Sequence, residues 1–208
     1  MNPEALVHDP FSIIVTGVGG QGNVLASRLL GDMLAEKGYF VTVGETFGAS
    51  QRGGSVMSHI RVSRESAWSP QIPRGKADVI VSLEPVEALR VLREYGNPGV
   101  VLLSNTRPIY PVGVIRGELE YPSLDALKEA VLRILPGARF IDGTEQALAL
   151  GNAILTNIVM LGALNRLAVL PFEREDFRKA IGRRVAPEQV PVNLMAFDKG
   201  YGIAESRS

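Results

Sequence analysis

An apolar run rich in isoleucine and valine, residues 11–16, stops against Gly17-Val18-Gly19-Gly20-Gln21-Gly22, and a helical pattern begins directly behind it. This order narrows the fold more than any other feature of the chain. A short β-branched run without polar alternation is the pattern of a strand buried on both faces, and the glycines mark where it must turn. Residues 23–37 follow with Leu25, Leu29, Leu30, Met33 and Leu34 on one side and Gly38 as the stop. A helix packed on a sheet begins and ends in this way. A second strand over 40–43 completes a strand–helix–strand unit, whose crossover is almost always right-handed.

Past a glycine-bearing loop at 46–55, Val56, Ser58, Ile60 and Val62 alternate with Met57, His59 and Arg61, the period of a strand with two unlike faces. Further strands are expected at 77–83, 100–104 and 138–141. Helices are expected at 85–94 and at 123–135, where Ser123 is the N-cap. The last third reads as helix over 146–168, 174–183 and 188–201. No side chain is charged from 147 to 165, a length that nominally spans a bilayer. Its Gly151, Asn152, Thr156, Asn157, Gly162 and Asn165 mark instead a helix buried in the domain or against a partner, with Asn157 available to bond across an interface. No repeat or linker divides the chain, so 1–208 is expected to be one domain. Its class is α/β and Rossmann-like: a mostly parallel sheet with flanking helices and a helical C-terminal third.

Composition removes several functions. Lys plus Arg and Asp plus Glu are 22 each, so the formal net charge is zero, and nothing favours nucleic acid or an anionic membrane as partner. The chain has no cysteine, which excludes disulfides, a thiolate nucleophile and any iron–sulfur cluster held by this chain. His8 and His59 are its only histidines, too few for a histidine metal site or a ready Ser-His-Asp triad. His59, on an alternating strand, reads as structural. Residues 1–10 lack the basic start and apolar core of a signal peptide, so the cytoplasm is the expected location.

The glycine loop has the context in which such a motif carries meaning, after a strand and before a helix. Gly17, Gly19 and Gly22 fit G-x-G-x-x-G, with Gly20 inside it, and backbone N–H groups at a helix start suit an anion. Asn23-Val24 stand where a P-loop needs Lys and Ser/Thr, which removes a nucleotide triphosphatase. Glu45 ends the second expected strand but lies well beyond the ~20-residue spacing of a ribose-binding acid. Close packing, an anionic ligand and a dinucleotide therefore remain open at this loop. A second polar constellation follows in Gly44-Glu45-Thr46-Phe47-Gly48 and in Gln51, Arg52, Gly53, Gly54 and Ser55. Loops at the carboxyl ends of strands surround the crevice of an open α/β sheet, so both segments should face one space. There Arg52 offers a guanidinium fork, and Gln21 and Gln51 offer amides. Gly53-Gly54-Ser55-Val56-Met57 lacks the last glycine of a nucleophile elbow, and no paired carboxylates stand out for acid–base work.

The segments Ile14-Val15-Thr16-Gly17-Val18-Gly19-Gly20-Gln21-Gly22, Gly44-Glu45-Thr46 and Gln51-Arg52-Gly53-Gly54-Ser55-Val56-Met57-Ser58-His59-Ile60-Arg61 together resemble the gamma subunit or domain of 2-oxoacid:ferredoxin oxidoreductases. The resemblance continues at Ala77-Asp78, at Asn157-Ile158-Val159-Met160-Leu161-Gly162-Ala163 and at Val192-Asn193-Leu194-Met195-Ala196-Phe197-Asp198-Lys199-Gly200-Tyr201. Within that family the size and C-terminal segment look most like the small (beta) subunit of indolepyruvate:ferredoxin oxidoreductase. The resemblance implies oxidative decarboxylation of a 2-oxoacid, indolepyruvate or another arylpyruvate first, with coenzyme A accepting the acyl group and ferredoxin the electrons. It also implies that thiamine diphosphate and iron–sulfur clusters sit on a large partner subunit, and that this chain holds no cofactor and no catalytic residue. The two loops would then lie at a subunit junction, near coenzyme A. Phe47-Gly48 departs from the His-Gly pair common in the family, so no role of that histidine carries over. Two other functions stay open on the residues alone: a stand-alone nicotinamide-binding oxidoreductase and a scaffold module for an anionic metabolite.

Overall fold

A computed structural model describes residues 6–48 and 54–204. The strands are β1 (Phe11–Val18), β2 (Phe40–Phe47), β3 (Ser55–Ser63), β4 (Val79–Ser82), β5 (Val101–Asn105) and β6 (Arg139–Ile141), in the sheet order β2-β3-β1-β4-β5-β6. β1, β4, β5 and β6 run parallel, and β3 runs antiparallel to both of its neighbours. The helices are α1 (Asn23–Glu36), α2 (Pro85–Tyr95), α3 (Val112–Ile115), α4 (Leu124–Ile134), α5 (Gly143–Leu148), α6 (Thr156–Arg166), α7 (Arg174–Gly182) and α8 (Val190–Ile203).

The expected strand–helix–strand unit is present, but its two strands are not neighbours. β3 lies between β1 and β2, with Val15 opposite Ser58 and Val43 opposite Ile60. This inserted strand also lengthens its partners beyond the expected ends. β1 continues through Gly17, opposite Val56, to Val18, opposite Ser55. β2 takes in Gly44, Glu45 and Thr46 and ends at Phe47. Ladder pairing with a distant strand outweighs the poor strand propensity of glycine.

Successive residues of a strand serve opposite layers. Ile13 and Val15 join Leu29, Leu30 and Met33 of α1, Met160 and Leu164 of α6, Phe177 of α7 and Phe197 of α8 on one face. Ile14, Ile80 and Leu102 meet Val91 and Leu92 of α2 and Val131 of α4 on the other. The Phe177 and Phe197 rings stack with centroids 4.5 Å apart. Ser123 caps α4 as expected, its Oγ accepting from Ala126 N at 3.2 Å.

The single helix expected over 146–168 is two helices. Gly151 adopts a left-handed backbone with φ 92°, a conformation glycine takes without steric cost. Asn152 then accepts a bond from Ile154 N at 3.0 Å and heads a short turn, Ala153–Leu155, before α6. No helix of the described residues is long and apolar enough to cross a membrane. α6 is buried along its length within this chain, and it crosses α8 where Gly162 and Gly200 let the two backbones touch.

Candidate functional site

The glycine loop and the 54–55 segment meet at the carboxyl end of β1. Gly19 N donates to Gly54 O at 2.9 Å, and Ser55 pairs with Val18. Inside the loop, Gln21 turns back on its own chain. Its Oε1 accepts from Val18 N at 2.7 Å and its Nε2 donates to Leu83 O, at the end of β4, at 2.8 Å. Gly17 is required by this plug: a Cβ there would lie 2.6 Å from Gln21 Oε1 and 3.0 Å from Leu83 Cβ. Gly22, at φ 81°, precedes α1 and receives Asn157 Nδ2 on its carbonyl at 3.1 Å. Asn157 thus makes its bond within the chain. Gly20, at φ 102°, faces open space.

Glu45 stands apart from this loop. It sits on β2 opposite Ser58, with β3 between it and β1, and its carboxylate lies 3.8 Å from Arg28 Nε of α1. A dinucleotide site needs that acid at the end of the strand next to the glycine loop. Gln51, Arg52 and Gly53 lie outside the described residues, so the guanidinium fork read from the sequence has no geometry to report. His59 is buried as expected of a structural residue, its Nδ1 accepting from Ile72 N at 3.4 Å and its ring edge-on to Tyr95. Burial lowers its pKa, so it is a neutral packing group.

Beside the glycine loop lies a feature the sequence reading missed, a pair of buried carboxylates. Glu84 follows β4 and is the N-cap of α2, accepting from Glu87 N at 2.9 Å. Its other oxygen accepts from the Tyr121 hydroxyl in a short bond and from Ile109 N at 3.4 Å. Glu87, one turn into α2, accepts from Ser55 Oγ at 2.6 Å and pairs with Arg90 at 3.1 Å. These groups line a cleft of about 260 Å³ between the start of α2 and the 109–122 segment. A signal for half of it was readable: Glu84-Pro85-x-Glu87 behind a buried strand is an acidic helix start with Pro at the first position. That Tyr121 returns to Glu84 is a tertiary fact with no local signal.

Burial pushes the Glu84 carboxyl above its ordinary value of 4.5, and its three hydrogen bonds offset this only in part. Tyr121 is pushed up by burial and by the adjacent Glu84, so its phenol stays protonated as the donor. A raised folded-state pKa means that the native state binds the Glu84 proton more tightly than the unfolded chain. The resulting stabilisation is fully present below 4.5 and is lost as pH rises through the higher folded value. Melting curves should therefore show Glu84→Gln gaining on the wild type as pH climbs through that window. A stability difference between the two proteins that is flat with pH would contradict the assignment.

These features define a Rossmann-like α/β domain whose phosphate-type loop is closed by its own glutamine and whose buried acids gather at the carboxyl edge of the sheet. Comparison with known proteins carries the assignment further. The profile of the pyruvate ferredoxin/flavodoxin oxidoreductase family matches residues 12–203. The indolepyruvate oxidoreductase subunit IorB of Pyrococcus horikoshii is 42% identical over 197 residues, covering 94% of this chain and 96% of that one. Among solved structures, the pyruvate oxidoreductase subunit PORC of Thermotoga maritima superimposes with a TM-score of 0.70 at 24% identity, covering 94% of this chain and 97% of that one. A 2-oxoglutarate:ferredoxin oxidoreductase from Magnetococcus marinus gives 0.72 at 22% identity, covering 97% of this chain and 32% of that longer one. The chain belongs to the pyruvate ferredoxin/flavodoxin oxidoreductase family.

Proposed function

We propose that this chain is the small subunit of an indolepyruvate- or arylpyruvate-oxidising enzyme of that family, and that it is not catalytic alone. The observation that carries this reading is the 42% identity to an indolepyruvate oxidoreductase subunit across nearly the whole of both chains. In the proposed complex the 2-oxoacid loses CO2, coenzyme A takes the acyl group and ferredoxin takes the electrons. The iron–sulfur clusters of that chemistry do not fit the groups found here. The chain has no cysteine to hold an iron–sulfur cluster. In the glycine loop, Val18 N–H and Gly19 N–H bond Gln21 Oε1 and Gly54 O. Thiamine diphosphate and the clusters are assigned to the large subunit.

The whole chain, 1–208, acts in this reading as one gamma-type domain of a cytoplasmic hetero-oligomer. The carboxyl edge of its sheet faces the large subunit and the coenzyme A side of the junction. The displaced Glu45 and the plugged loop give a nicotinamide cofactor no support, and a calorimetric titration with NADH should be flat.

Reconstitution is the test. The chain alone should not reduce ferredoxin with indolepyruvate and coenzyme A, and the large subunit should turn over only when this chain is added. Full activity of the large subunit by itself would overturn the proposal.

A further inference from the structure

Resting on that reading, we infer that the cleft between α2 and the 109–122 segment receives a basic side chain of the large subunit, with the apolar rim of that segment as the surrounding contact. The charge balance of the cleft argues for a cation. Among the described residues, Glu84, Glu87 and Glu120 line it against the single guanidinium of Arg90, and Arg90 is already held by Glu87 at 3.1 Å. Glu84 is 1% exposed, and the three bonds it accepts come from uncharged donors, the Tyr121 hydroxyl and the N–H groups of Glu87 and Ile109. A buried carboxylate with no cationic partner among the described residues is unfavourable, and apolar walls focus its field towards the mouth of the cleft. The walls, Val86, Pro111, Val114 and Pro122, suit the methylene stem of lysine or arginine.

The rim argues for a protein rather than a small ligand. At about 260 Å³ the cleft lies below the usual ~300–1,000 Å³ of a small-molecule pocket. Around it the 109–122 segment exposes Val112 at 58%, Ile115 at 72% and Leu119 at 63%. An apolar patch of this kind, edged by polar groups, marks a protein contact. A desolvated basic anchor encircled by apolar contacts is also a common form of interface hot spot. The cleft includes Val18 and Ser55, so it continues the face already assigned to the junction.

Titration of the large subunit with this chain, read by calorimetry, decides the matter. Glu120→Lys should weaken association by at least about tenfold, and Leu119→Ser by several-fold. Both side chains are exposed, so folding should survive, and a melting curve checks this. Arg178→Glu, on α7 against the opposite face of the sheet, should bind as the wild type does. If the wild type binds and both cleft variants bind equally well, the inference falls while the subunit assignment stands. If the wild type does not bind the large subunit, both fall. A second copy of this chain in the cleft would appear in sedimentation as a dimer of the chain alone that Glu120→Lys dissociates, and that result would also overturn the inference.

Discussion

Gly200→Ala should destabilise the protein by about 3 kcal/mol or more, a fall in melting temperature of roughly 6–12 °C. Helix propensity alone argues the reverse, since alanine is favoured over glycine within a helix by ~1 kcal/mol. The obstacle is geometric. A Cβ at position 200 would lie 1.8 Å from the Val159 carbonyl oxygen and 3.0 Å from Ala163 N. These are backbone atoms of α6, so no side-chain rotation relieves the clash and the helices must separate. Gly162 has the reciprocal constraint, with Phe197 O at 1.9 Å. Gly202 is the internal control, because it sits on the same helix with nothing within 4 Å of its Cβ position. Gly202→Ala should be neutral or slightly stabilising. Urea unfolding of the three proteins is the measurement, and equal midpoints for wild type and Gly200→Ala would refute the packing argument.

Tyr121→Phe should cost about 1–3 kcal/mol at neutral pH and release the 109–122 segment, seen as faster amide exchange there. The phenol is one of three donors to Glu84, and its hydrogen bond holds the Glu84 pKa lower than burial alone would. Without it the folded-state value climbs further, and the variant loses most where wild-type Glu84 is ionised. Below the ordinary 4.5, where the carboxyl is protonated in folded and unfolded chains alike, the gap to the wild type should narrow. A loss independent of pH, with unchanged exchange in 109–122, would show that the phenol merely fills space.

The features legible beforehand are those set by neighbouring residues. The buried strand from Phe11, the helix from Asn23, the turn at Gly38 and the Ser123 cap all stand where local pattern puts them. Features set by distant partners were not legible. Nothing near Gly44 announces that His59 will pair with it and keep it in a strand, and nothing near Val18 announces Ser55. The break at Gly151 was hidden because the residues around it are uncharged and apolar enough to continue a helix. The candidate site divides in the same way. The place of the glycine loop at a strand end was readable, as was its nearness to the 54–55 segment. Its content was not, because Gln21 reaches Leu83 and Glu84 reaches Tyr121 across the sequence.

Among the described residues, three tethers hold the glycine loop: Gly19 to Gly54 just before β3, Gln21 to the end of β4, and Gly22 to Asn157 of α6. Their consequence is thermodynamic. Ordering a mobile side chain on association costs about 0.5–1.5 kcal/mol, and a loop stitched to three separate elements has little disorder left to surrender. In the proposed complex a partner docking at this end of the sheet would therefore meet a preorganised loop, and more of the contact energy would remain available as affinity.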